Sequence, residues 1–114
     1  MTHKEVEIYL LTYPGAKLTY PFGKDVAVYK VTHRGQDADD EGKMFALVAE
    51  GKDPVRISLK CDPQLAVLLR EKYESVMPGN HLNKKHWNTI VLTGQVPWEE
   101  VKDLIRHSYE LVAN

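Results

Sequence analysis

The sequence predicts an α+β domain in which a mainly antiparallel sheet carries helices packed on one face. Residues 55–61, VRISLKC, alternate cleanly: Val55, Ile57, Leu59 and Cys61 point one way, and Arg56, Ser58 and Lys60 the other. A strand with one buried and one wet face belongs to an antiparallel sheet covered on one side. Two more β-rich segments, 26–31 and 44–49, precede it, with turn residues between them. Helical periodicity with matching start signals then appears on either side of a further strand, and that grouping is the α+β pattern.

Taken in order, residues 3–13 place Val6, Tyr9, Leu10 and Tyr13 at helical spacing, and Pro14 and Gly15 end that helix. The PFG at 21–23 marks a turn. The strand VAVYKV at 26–31 follows, and then the polar, acidic segment THRGQDADDEG. MFALVA at 44–49 is a second strand, EGKDP a turn, and 55–61 the third strand. Asp62 is a good N-cap, with Pro63 at the first helical position of DPQLAVLLREKY. Leu65, Leu68 and Leu69 form the expected apolar stripe of that helix. An irregular stretch leads to a strand at about 87–93, and Gly94 turns the chain. The segment 97–113 has the clearest helical pattern. Val101, Leu104, Ile105, Ser108 and Val112 line one side, and Glu99 and Glu100 sit in the first turn, where the helix dipole favours them.

Composition bounds the function. The chain has 114 residues, 43% hydrophobic and 27% charged, with no internal repeat or Gly/Ser linker, so one domain spans 1–114. The net charge of −1 is not that of a globally basic nucleic-acid binder, so such a role requires segregated charge. The single cysteine, Cys61, cannot form an internal disulfide and reads as a small buried hydrophobe. The N-terminal stretch lacks a signal-peptide pattern, and no apolar run is long enough to cross a bilayer. The expectation is a cytoplasmic protein with no membrane partner.

No GxGxxG, Walker A, HExxH, GxSxG or paired-Cys motif is present, so no catalytic residue, cofactor or enzymatic activity is expected. The acidic run Asp37, Asp39, Asp40 and Glu41 lacks the spacing of a calcium loop and reads as a solvated hairpin tip. The stretch PGNHLNKKHWNTI at 78–90 is the densest in chemistry. Its two histidines, His81 and His86, are five residues apart. That is about 140° around a helix and opposite faces on a strand, so they form no local ligand pair, and no metal site is expected.

Anion binding fits better. Lys84 and Lys85 lie beside His81 and His86, and Asn80, Asn83 and Asn88 add neutral donors. From 55 to 86 there are six Lys and Arg against three Asp and Glu, so the region is locally basic. Arg56 and Lys60 share the wet side of their strand. A sheet face and a loop so charged suit phosphates. The competing reading is scaffolding: Asn and His cap turns, Leu82 plugs a core and Trp87 starts a strand. In the first reading Trp87 stacks on a base; in the second it packs inside.

Five blocks in order, PFGKDVAVYKV, GKMFALV, ISLKCDPQLAVLLREKY, HLNKKHWNTIVL and LIRHSYELV, resemble the MmcQ/YjbR family of small bacterial proteins, from about Pro14 to the end. The resemblance implies a frataxin-like (CyaY-like) fold and carries the family's description as DNA-binding, with a double-wing contact surface. The positions that match family blocks are Lys60, His81, Asn83, Lys84, His86 and Trp87. Arg56 and Lys85 join them through charge and alternation. The connection from Val31 to Gly42 is longer than the family's tight turn and acidic, and as a wing it would repel phosphate. Frataxin-like folds also raise iron binding, but the first helix offers only Glu5 and Glu7 and no acidic ridge. The partner implied is DNA, with a structural or protein-interaction domain, or a small-ligand binder with no nucleic-acid role, as the alternative.

Overall fold

A computed structural model describes residues 1–32, 42–79 and 82–113. The acidic tip predicted at Asp37 to Glu41 lies outside the described residues. The elements run α1 (His3–Leu10), β1 (Ala16–Thr19), β2 (Val26–Val31), β3 (Lys43–Ala49), β4 (Arg56–Lys60), α2 (Pro63–Lys72), β5 (Val76–Pro78), β6 (Trp87–Val91) and α3 (Trp98–Ala113). The sheet has six strands in the order β1-β2-β3-β4-β6-β5, and every neighbouring pair is antiparallel. The helices contribute Val6 and Leu10, Ala66 and Leu69, and Val101, Leu104, Ile105 and Val112 to one core with Tyr29, Phe45, Ile57 and Ile90. Burying each large aliphatic side chain there stabilises the fold by about 1.5–3 kcal/mol.

Three of the expectations need correction. The first helix ends at Leu10 rather than running to residue 13, because Pro14 disfavours helical backbone at its predecessor and Gly15 turns the chain at φ 76°. The stripe on α2 is not Leu65–Leu68–Leu69. Leu68 is 61% exposed, and the buried pair is Ala66 and Leu69. Two strands, β1 and β5, were not expected. They are four and three residues long, and pairing with β2 and β6 builds them rather than any periodicity of their own. The stretch 78–90 thereby becomes the connection and second strand of a β5–β6 hairpin.

The predicted stripe of α3, by contrast, is buried at all five positions. Three consecutive residues of this helix also bind backbone from three different segments. His107 Nε2 accepts the Asp62 N–H at 3.1 Å, and the Tyr109 hydroxyl donates to the Pro14 carbonyl. Between them, the fully buried Ser108 hydroxyl donates to the Phe45 carbonyl (2.6 Å) and accepts the Lys60 N–H (3.0 Å). The β3–β4 register ends at Ala46–Leu59. Phe45 is the extra residue where β3 bulges against β2, so Ser108 fills the next rung with a side chain. No helix among the described residues is long and apolar enough to cross a membrane.

Candidate nucleic-acid interface

The face of the sheet turned away from the helices carries the odd-numbered side of β6 and the even-numbered side of β4. Register sets Arg56 opposite Val91, Ser58 opposite Thr89 and Lys60 opposite Trp87. The alternation read from 55–61 therefore holds: Ile57 and Leu59 are buried, Arg56 is exposed, and Ser58 and Lys60 are half-buried. The face is not uniformly wet, however. Val28, Leu47 and Trp87 form a second small apolar cluster on it, with Val26, Met44 and Leu82 packed alongside. Trp87 is only 7% exposed, so its indole faces side chains rather than solvent and is not an open stacking platform for a base.

The loop that leads into β6 is built tightly. The Gly79 N–H donates to the Trp87 carbonyl at 2.9 Å and closes the hairpin; a Cβ at Gly79 would stand 2.9 Å from the Trp87 Cβ, so the close approach itself requires glycine. The Asn83 side-chain oxygen accepts the Lys85 N–H at 2.9 Å, and its carbonyl accepts the N–H groups of His86 (3.1 Å) and Trp87 (3.0 Å). This is the local turn chemistry that Asn favours. The His86 carbonyl accepts the Cys61 N–H at 2.7 Å and extends the β4–β6 pairing by one residue.

A clasp from α2 completes the loop. Arg70 Nη1 donates to the Lys84 carbonyl (3.2 Å) and to Asn88 Oδ1 (2.8 Å), while Asn88 Nδ2 donates to the Ala66 carbonyl (3.1 Å). Asn88 is buried on the core side, so it is a structural strut and not one of the surface donors expected from sequence. Sequence reasoning missed Arg70. The available signal was parity: once Trp87, Thr89 and Val91 share a face, Asn88 must point inward and need a polar partner.

Of the eight predicted site residues, the structure brings Lys60, Lys84, Lys85 and His86 together at one end of β4, with Lys84 and Lys85 exposed and His86 half-buried. Arg56 marks the other end, about 13 Å away at strand rise. Asn83 is exposed but serves the turn, Trp87 is packed inside, and His81, like Asn80, lies outside the described residues. None of the six strands contains an Asp or Glu. Ion pairs are unevenly distributed. Lys4, Lys72, Lys102 and Arg106, all on helices, pair with Glu7, Glu100, Glu99 and Asp103. Among the described residues, the side chains of Arg56, Lys60, Lys84 and Lys85 make no ion pair.

No three His, Cys, Asp or Glu side chains converge among the described residues. Cys61 is buried beneath the helices, and desolvation pushes its thiol up to about 11, which keeps it protonated and unreactive near neutrality.

Comparison with known proteins gives a consistent set of relatives. A family model described as YjbR matches residues 11–111. The Escherichia coli (strain K12) protein described as "Uncharacterized protein YjbR" is 34% identical over 114 residues, covering 100% of this chain and 89% of that protein. The crystal structure of Deinococcus radiodurans protein DR2400, family-model domain DUF419, matches with a TM-score of 0.87 at 38% identity, over 97% of this chain and 78% of that one. A crystal structure from Pseudomonas syringae matches with a TM-score of 0.77 at 29% identity, over 98% of this chain and 99% of that one.

Proposed function

The chain belongs to the YjbR family, and on that footing we propose that it is a non-enzymatic nucleic-acid-binding module that holds phosphates on the helix-free face of its sheet. The observation that supports this most is the charge distribution. Lys4, Lys72, Lys102 and Arg106 on the helices pair with carboxylates, while Arg56 and Lys60 on β4 and Lys84 and Lys85 in the loop before β6 make no ion pair among the described residues. Unpaired cations fixed on a strand and a pinned loop suit a polyanion, because neutralising phosphates releases condensed counterions. Asn83 and Trp87 then hold the loop, and the lysines make the contacts. A net charge of −1 is compatible with this role because a local cluster of cations is enough to hold phosphates.

The test is fluorescence anisotropy with labelled DNA over a range of salt. Binding weakens with salt, and Lys84→Ala with Lys85→Ala reduces the slope of log K against log salt by about 0.9 per lost duplex phosphate contact and by about 0.7 per single-strand contact. Binding no tighter than millimolar at low salt, or a slope that ignores the double substitution, overturns the proposal. The alternative of a protein-interaction domain draws on the loop's internal bonding: Asn83, His86 and Trp87 are all committed to backbone contacts.

A further inference from the structure

We infer that the nucleic acid this face takes is a single strand, laid along β4 with its phosphates on Arg56, the Ser58–Thr89 hydroxyl pair and Lys60. This inference rests on the nucleic-acid reading above and specifies its ligand. Ser58 Oγ and Thr89 Oγ1 stand 2.7 Å apart, side by side on the face between the two cations. Two hydroxyls carry two protons, and the bond between them uses one. With the buried Thr89 as donor in that bond, the Ser58 proton is available to an acceptor outside the protein, and Ser58 is half-buried rather than sealed. Cation, hydroxyl pair and cation thus follow one another at every second residue, with steps of about 6.8 Å along the strand. That is a line of anion contacts for consecutive phosphates of one extended chain. Lys84 and Lys85 prolong it past the Lys60 end.

The surroundings of that line favour a single strand over a duplex. Beside Thr89, on the adjoining edge strand, Met77 lies on the same face and is 38% exposed. Its thioether gives an unstacked base an apolar, polarisable surface next to the phosphate line. A duplex keeps its base faces stacked and has nothing to place there.

The experiment compares a fluorescent oligothymidylate, the same length of mixed-sequence duplex, and an acidic polyglutamate peptide, at one low salt concentration. The single strand is expected to bind at least tenfold more tightly than either of the others. Ser58→Ala is expected to weaken single-strand binding by roughly tenfold, the order expected for a hydrogen bond to a charged group. Met77→Ala is expected to weaken it several-fold and leave the duplex unchanged. Circular dichroism and urea midpoints on both variants establish that the fold is retained, and Met77→Leu, which keeps an apolar surface, restores most of the affinity. Equal binding of duplex or polyglutamate, or an unchanged single-strand affinity in Ser58→Ala and Met77→Ala, overturns the inference. If the lysine substitutions still lower the salt slope, the broader reading survives that outcome. If they do not, both readings fail together.

Discussion

At Ser108 one hydroxyl lies between the Phe45 carbonyl and the Lys60 amide, in the rung where β3 and β4 stop pairing. Substitution by Ala leaves a carbonyl and an amide without partners in a region closed to water. The expected cost is about 2–6 kcal/mol, from penalties of about 1–3 kcal/mol for each of the two unsatisfied groups, and urea unfolding measures it. Lys60 is also a proposed phosphate contact, so the same substitution loosens the backbone that aims it. From sequence, Ser108 is visible only as a small residue on an apolar stripe; its role depends on a bulge in β3 that no local pattern announces. The exposure of Lys84 and Lys85 is easier to foresee, because adjacent lysines are almost never buried together. The packing of Trp87 is harder, because it depends on which residues of β2 and β3 share its face.

Elements differ in how far their own residues determine them. The five-residue stripe of α3 is readable because the helix crosses the middle of the sheet and buries a wide face. On α2, adjacent to the short edge strand, only Ala66 and Leu69 are buried, and the choice among its leucines is made by the neighbours. The β5–β6 loop depends on α2 through Arg70. Arg70→Ala removes the guanidinium contacts to the Lys84 carbonyl and to Asn88 and leaves Asn88 half-satisfied in the core. A loss of about 1–2 kcal/mol is expected. Hydrogen exchange at the His86 and Trp87 amides should accelerate more than exchange within α3. Equal acceleration in both would mean that the clasp has no local role.

Over the whole molecule, four helix cations pair with nearby carboxylates, whereas Arg56, Lys60, Lys84 and Lys85 make no ion pair among the described residues. Three weak acids on the helical side, Cys61, Tyr13 and Tyr29, are expected to make stability fall at alkaline pH. Cys61 has a folded value of about 11 against an ordinary 9.0, mainly through desolvation. The hydroxyls of Tyr13 and Tyr29 are also raised, again mainly by desolvation. A raised folded value means that the native state holds its proton longer than the unfolded chain. The Cys61 contribution is therefore complete below pH 9 and falls away as pH rises from 9 toward 11, a loss of about 2–3 kcal/mol at 1.36 kcal/mol per unit. Urea midpoints from pH 7 to 11 should decline over that window, with a shallower decline in Cys61→Ala. In the native protein at pH 8, iodoacetamide should label Cys61 only on the timescale of unfolding.

The most direct test of the central claim is an amide-resolved NMR titration of the protein with a short oligothymidylate at low salt. Perturbations should map to Arg56 through Lys60, to Leu82 through Trp87 and to the row Thr89–Met77, and should vanish as salt is raised. Perturbations confined to the helices, or none at a millimolar excess of DNA, would contradict a nucleic-acid-binding sheet face.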